Sequence, residues 1–274
     1  MSRQLWGIAV GSFGSGEYLQ DADLTAGGFV FGADGDLGNG LVAGAALGYA
    51  YTAIDPGPGG SAEVASLEVA GYARWTDGPW FATGLAGLGY HWLDIDRRVT
   101  VGDVRDTASS SPDGWGVFVA ATAGRRFDLD RGVALEPMVG LRYDHVRRDS
   151  FTESGAAFAD RAVDGESLDA AQAFAGARVY TEVELADGTR LWPEFNVGYA
   201  REIGNTDIVT GASLVDAPGA SFTVTTEGPG DDVGLVGVRL SGAKGATSFF
   251  VEYRAELRSD YTGHVVRAGV SVPF

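Results

Sequence analysis

Apolar residues recur at every second position over long stretches of this chain, and helical spacing is scarce. Leu41, Ala43, Ala45, Leu47, Tyr49 and Tyr51 share one face, opposite Val42, Gly44, Ala46, Gly48, Ala50 and Thr52. The same split separates Val133, Leu135, Pro137, Val139, Leu141 and Tyr143 from Ala134, Glu136, Met138, Gly140, Arg142 and Asp144. It returns in 191–200, in 249–258 and in 265–274, where Val266, Ala268, Val270, Val272 and Phe274 lie together. One face is apolar with aromatic ends; the other mixes small residues with charges of both signs. Each run is about ten residues long, which at a rise of ~3.3 Å per residue and a tilt near 40° spans roughly 25 Å. That matches the apolar height of a membrane barrel, whereas ordinary sandwich strands are nearer five or six residues. The pattern predicts strands with lipid on one side and water on the other.

The connectors sort into two classes that alternate along the chain. Short, turn-coded ones fall at 34–40, 77–79, 128–132, 186–188 and 241–245. Between them lie longer, acidic or Gly/Ser-rich ones at 15–23, 55–61, 96–113, 148–167, 205–231 and 258–263. Such alternation predicts an all-β, transmembrane, antiparallel up-and-down β-barrel of about twelve strands, with tight turns and both termini in the periplasm.

Composition narrows the class. The 274 residues contain 42 Gly, 9 Pro and no Cys, with a mean hydropathy near zero, which describes a folded, turn-rich chain without disulfides or thiolate chemistry. A formal net charge of −17 excludes a nucleic-acid partner, because phosphates demand a basic face. No apolar run approaches the ~18 residues of a membrane helix. Met1-Ser2-Arg3-Gln4 leads straight into Leu5 with no leader core or cleavage site, so the precursor's front end is expected to be missing. No linker divides 1–274, which is therefore expected to be a single domain.

The C-terminus resembles the assembly signal that closes bacterial outer-membrane proteins, with Arg267, Gly269, Val272 and Phe274 in its polar, glycine, hydrophobic and aromatic places. Six internal stretches add to this: 27–34 (GGFVFGAD), 46–49 (ALGY), 77–80 (DGPW), 88–90 (LGY), 221–224 (SFTV) and 259–261 (SDY). In this order the chain resembles the translocator β-domain of autotransporters, the type V secretion family. The resemblance implies a 12-stranded barrel in the Gram-negative outer membrane, placed there by the barrel-assembly machinery. It also implies a passenger segment exported to the cell surface, and a linker helix that would precede the first strand and is not in this sequence.

Inward polarity carries the functional expectation. By parity, Glu68, Arg74, Glu136, Arg142, Asp144, Arg178, Glu182, Glu194, Arg239, Glu252, Arg254 and Glu256 face the lumen. Facing lipid, one mid-depth Arg would cost about 2–4 kcal/mol. A dozen such costs would exceed a typical domain stability of about 5–15 kcal/mol. These charges therefore either line a hydrated passage or pair to brace the wall. The lumen is expected to be water-filled and modestly cation-preferring, unless 96–113 or 205–231 folds inside. Trp6, Trp75, Trp80, Tyr90, Trp92, Trp115, Tyr143, Tyr199 and Tyr253 are expected on the outer face as interfacial belts against lipid and lipopolysaccharide. His91, His145 and His264 join them there, which leaves no placed base for catalysis. The pairs Asp94/Asp96 and Asp231/Asp232 read as solvated charge rather than metal ligands, and Gly11 to Gly16 matches no nucleotide loop. The expectation is a monomeric translocator barrel with no cofactor or metal and no enzymatic activity. Its rivals are a passive outer-membrane pore and an adhesin or enzyme barrel working through its surface loops.

Overall fold

A computed structural model describes residues 3–16, 22–204, 207–226, 228 and 230–274. Twelve strands follow one another around it: β1 (Arg3–Gly16), β2 (Ala22–Gly38), β3 (Leu41–Asp55), β4 (Gly60–Asp77), β5 (Trp80–Val101), β6 (Asp113–Arg125), β7 (Val133–Arg148), β8 (Glu166–Thr181), β9 (Arg190–Ile203), β10 (Asp232–Lys244), β11 (Thr247–Leu257) and β12 (Tyr261–Pro273). Each pairs antiparallel with its sequence neighbour, and β12 pairs with β1 from Gln4 opposite Pro273 to Gly16 opposite Tyr261. The Phe274 amide donates to the Arg3 carbonyl at 3.1 Å and completes the seam. Closure leaves the barrel without an edge, so every strand satisfies its backbone across two neighbours.

Register follows from the two-residue alternation. Phe31, Leu47, Val69, Leu88 and Val117 stand side by side across β2 to β6 on the outer face. One residue along, Val30, Gly48, Glu68, Gly89 and Gly116 form the matching inner row. A slip of one residue would drive Glu68 into lipid, so the pattern fixes the pairing. At the end that carries both termini the turns are tight. Asn39 and Gly40 join β2 to β3 with φ of 53° and 75°, the two-residue geometry that suits the twist of a hairpin.

The opposite end is more ordered than the sequence suggests. Connector 96–113, expected as a loop, continues β5 into a hairpin with Val104–Ser110. β-branched Val99 and Thr100 favour the strand, and the two-residue turn at Gly102, with φ 62°, closes it. Connectors 148–167 and 205–231 likewise supply a separate four-stranded sheet of Phe151–Thr152, Arg161–Val163, Ile208–Leu214 and Ala217–Thr226. Ser109 and Ser154 exchange backbone hydrogen bonds of 2.9 and 3.0 Å and tie the hairpin to this sheet. The centre of connector 15–23 and parts of 205–231 lie outside the described residues.

Candidate functional site

The lumen wall is built from the smaller or charged member of each alternating pair. Near the terminus end, the Trp6 indole donates to the Tyr72 hydroxyl at 2.6 Å, and that hydroxyl donates to Asp34 at 2.8 Å. This chain crosses β1, β4 and β2. It fits because Gly32 and Gly44 lie beneath the rings: a Cβ on Gly32 would sit 2.2 Å from the Trp6 ring, and one on Gly44 would sit 2.6 Å from Tyr72.

Two further clusters are the most deeply set. Glu136 is 4% exposed; it accepts from Arg178 Nε at 2.5 Å and from the Tyr180 hydroxyl at 2.7 Å, with the Arg178 guanidinium 5.5 Å from the Phe81 ring. Glu252, 5% exposed, accepts from Arg239 at 3.2 Å and from Arg254 at 3.0 Å, and Arg267 stands opposite it in register. Higher up, Arg142 forks onto Asp144 at 2.6 and 2.8 Å. Gln172 and Arg258 both donate to Glu202, and Arg258 also reaches Glu256 at 2.6 Å. Glu68 sits in the inner row between two glycines, Glu194 faces Arg239 across β9 and β10, and Arg74 borders an open cavity. Glu182 lies just past β8 and accepts the Trp192 indole at 3.2 Å.

These placements revise the expected charge of the passage. The inner faces of the strands, up to the loop-end rim, carry Asp34, Glu68, Glu136, Asp144, Glu166, Glu194, Glu202, Glu252 and Glu256. Against them stand Arg74, Arg142, Arg148, Arg178, Arg190, Arg239, Arg254, Arg258 and Arg267. The two sets balance, in a chain whose formal net charge is −17. The acidity is concentrated outside the lumen, so it gives little cation preference inside.

Two aromatic assignments are overturned. Trp6 points inward with Gln4 and Ile8; the outward residues of β1 are Leu5, 48% exposed, and Phe13, 50% exposed. Nearness to a strand end suggested a belt position, but parity decides the side. His91 also faces inward, half-buried, with its Nδ1 2.9 Å from Ser66 Oγ. Its neighbours Tyr90 and Trp92 both face out, which under alternation sends the residue between them in. Trp75, Trp80, Tyr90, Trp92, Trp115, Tyr143, Tyr199 and Tyr253 are exposed on the outer face. His145 is outward too, 2.8 Å from Asp169, and His264 is 2.8 Å from the Tyr253 hydroxyl.

At the seam, Arg267 and Gly269 face inward while Val272 and Phe274 face outward, Phe274 being 64% exposed. Gly269 makes room for the Phe250 ring, which a Cβ there would meet at 2.5 Å. Beyond the loop-end rim, Arg97 forks onto Glu153, which raises the Arg97 pKa above its ordinary value; burial lowers that of nearby Arg161. No group of three or more metal-ligating side chains converges among the described residues.

Residues 5–254 match the family model described as the autotransporter beta-domain. In overall shape the chain is similar to the translocator domain of the autotransporter NalP from Neisseria meningitidis, with a TM-score of 0.79 at 19% identity, covering 99% of this chain and 88% of that one. It is similar to the β-domain of the Bordetella autotransporter BrkA, at 0.75 and 19%, covering 100% of both. The transport unit of AIDA-I from Escherichia coli scores 0.60 at 14% identity, over 98% of this chain and 90% of that one. No curated protein sequence matches the chain.

Proposed function

Because the chain belongs to the autotransporter β-domain family and is a translocator barrel of the Gram-negative outer membrane, we propose that its lumen passes a passenger segment, joined ahead of β1, from the periplasm to the cell surface. In this reading the tight turns and both termini face the periplasm, and the hairpin and small sheet stand outside the cell. The observation that carries it is the lumen wall. Most of its carboxylates and guanidiniums are paired with each other, and its inward rings Trp6, Phe81, Phe118, Phe174 and Phe250 pack over strand glycines, so an unfolded segment meets water and neutralised charge rather than a surface that would hold it. Arg267, Gly269, Val272 and Phe274 act as the signal read by the barrel-assembly machinery, and the lumen charges serve both the passage and the bracing of the wall.

The test is to place a secretory leader and an epitope-bearing, unstructured segment ahead of Arg3 and express the fusion in a Gram-negative host. External protease should release the epitope from intact cells while the barrel stays heat-modifiable in the outer-membrane fraction. A barrel that inserts normally but leaves the epitope protected in the periplasm overturns the export reading.

A further inference from the structure

A cavity of about 620 Å³ opens into the lumen at the terminus end, between β1–β2, β4 and β9–β12. Arg74, Arg190 and Arg239 border it, with Asp34 the only acidic residue among the described residues that line it. The Asp34 carboxylate already accepts the Tyr72 hydroxyl. Arg239 is anchored: it lies 3.9 Å over the Phe250 ring and donates to Ser241 and Glu252. Arg190 rests 5.5 Å over the Trp192 ring.

Arg142, Arg148, Arg178, Arg239, Arg254 and Arg258 each hold a carboxylate, whereas Arg74, Arg190 and Arg267 form no ion pair among the described residues, and of these three Arg74 and Arg190 border the cavity. The chain has 37 acidic residues for 20 basic ones, so acidic partners are in excess. Of the nearby acids, Glu252 is shared by two arginines and Glu182 takes the Trp192 indole, while Glu194 stands opposite Arg239 and Glu184 opposite Arg190 in register, neither in an ion pair among the described residues.

We propose that this cavity is a carboxylate-binding site, in which Arg74 and Arg190 supply forked donors and the anchored Arg239 supplies fixed positive charge. Guanidinium groups grip planar carboxylates through two parallel N–H bonds, and aromatic faces beneath them hold the fork in place without using those donors. The carboxylate can come from a free dicarboxylate or from acidic side chains on an extended polypeptide in the passage. The site does not depend on export, since either source would bind the isolated barrel.

The experiment uses the purified full chain, folded in detergent, with succinate and hexaglutamate as probes and hexalysine as control, read by calorimetry. Saturable binding of both acidic probes indicates recognition of single carboxylates; binding of hexaglutamate alone indicates a polypeptide-borne ligand. Either supports the proposal if Arg74→Gln and Arg190→Gln each weaken it at least tenfold while Arg142→Gln, whose partner is Asp144, does not. Binding of neither acidic probe, equal or tighter binding of hexalysine, or unaltered affinity in both arginine variants overturns it. Should a variant fail to fold, photoreactive hexaglutamate on the wild type gives the answer. Crosslinks at Trp6 or Trp192 support the site; crosslinks confined to the loop end refute it.

Discussion

Replacing Glu136 with Ala should lower the stability of the barrel by about 2–3 kcal/mol. The Glu136 side chain is 6% exposed and is held by Arg178 and by the Tyr180 hydroxyl. Removing one partner of a fully buried pair costs about 3–5 kcal/mol, because the other charge stays behind without compensation. Arg178 retains 27% exposure, so lumen water can solvate it in part and bring the cost below that range. At about 1.4 kcal/mol per tenfold, the folded-to-unfolded ratio should fall some 30- to 150-fold. Urea unfolding of barrels inserted in lipid vesicles, followed by tryptophan fluorescence, measures this. Glu136→Gln keeps an acceptor oxygen and should recover part of the loss. Arg142→Gln is the contrast: its pair with Asp144 is 62% and 26% exposed, and disrupting it should cost less than about 1 kcal/mol. If Glu136→Ala and Arg142→Gln shift stability by the same amount, below ~0.5 kcal/mol, then burial does not set the worth of these pairs.

Four further outcomes are expected. Phe274→Asp should reduce the yield of heat-modifiable, membrane-inserted barrel in cells, because the outward terminal ring meets the interface next to the seam; wild-type yield would count against an assembly role for that residue. Gly32→Ala should destabilise the wild type and less so a Trp6→Ala background, since the added Cβ would meet the Trp6 ring at 2.2 Å while its 2.7 Å approach to the Ala45 carbonyl oxygen remains in both; additive effects in the double-mutant cycle would show that the ring contact is not the cause. In planar bilayers the chain should give discrete conductance steps with cation and anion permeabilities within about threefold, reflecting the balance of charge along the inner faces; strong cation selectivity would contradict it, and a helical segment added ahead of Leu5 should reduce the current. Hydrogen bonds from Lys244 and Thr189 hold the Asp187 carboxyl below its usual 3.8, so its contribution is complete above about pH 4 and lost as pH falls further; Asp187→Asn should flatten that part of an acid-stability profile.

The barrel was legible because alternation fixes both the strands and the side each residue faces, and because connector length separates the two ends. Parity places Arg178 and Glu136 on one side of the wall; it does not say that they meet, since β7 and β8 come together only through the register of sixteen paired residues. The hairpin beyond β5 and the four-stranded sheet were hidden for a different reason. Their strands are short, and connectors such as 148–167 and 205–231 look like loops until distant segments pair.

Trp6 and His91 show where a local rule outranked a stronger one. An aromatic near a strand end suits a membrane interface, but on β1 that inference competes with parity, and Leu5 already occupies the outward position. A second signal was also present. An inward ring needs space on the neighbouring strand, and Gly32 stands opposite Trp6 in register. Phe250 repeats the arrangement against Gly269. Phe174 lies over Gly176 and Gly198, and Phe118 over Gly87. Glycines within strands normally weaken them, so their abundance here has a compensating cause: they accept the large side chains of the inner wall, where a Cβ would collide. Inward aromatics in such a barrel are therefore to be sought beside strand glycines rather than by their distance from the ends.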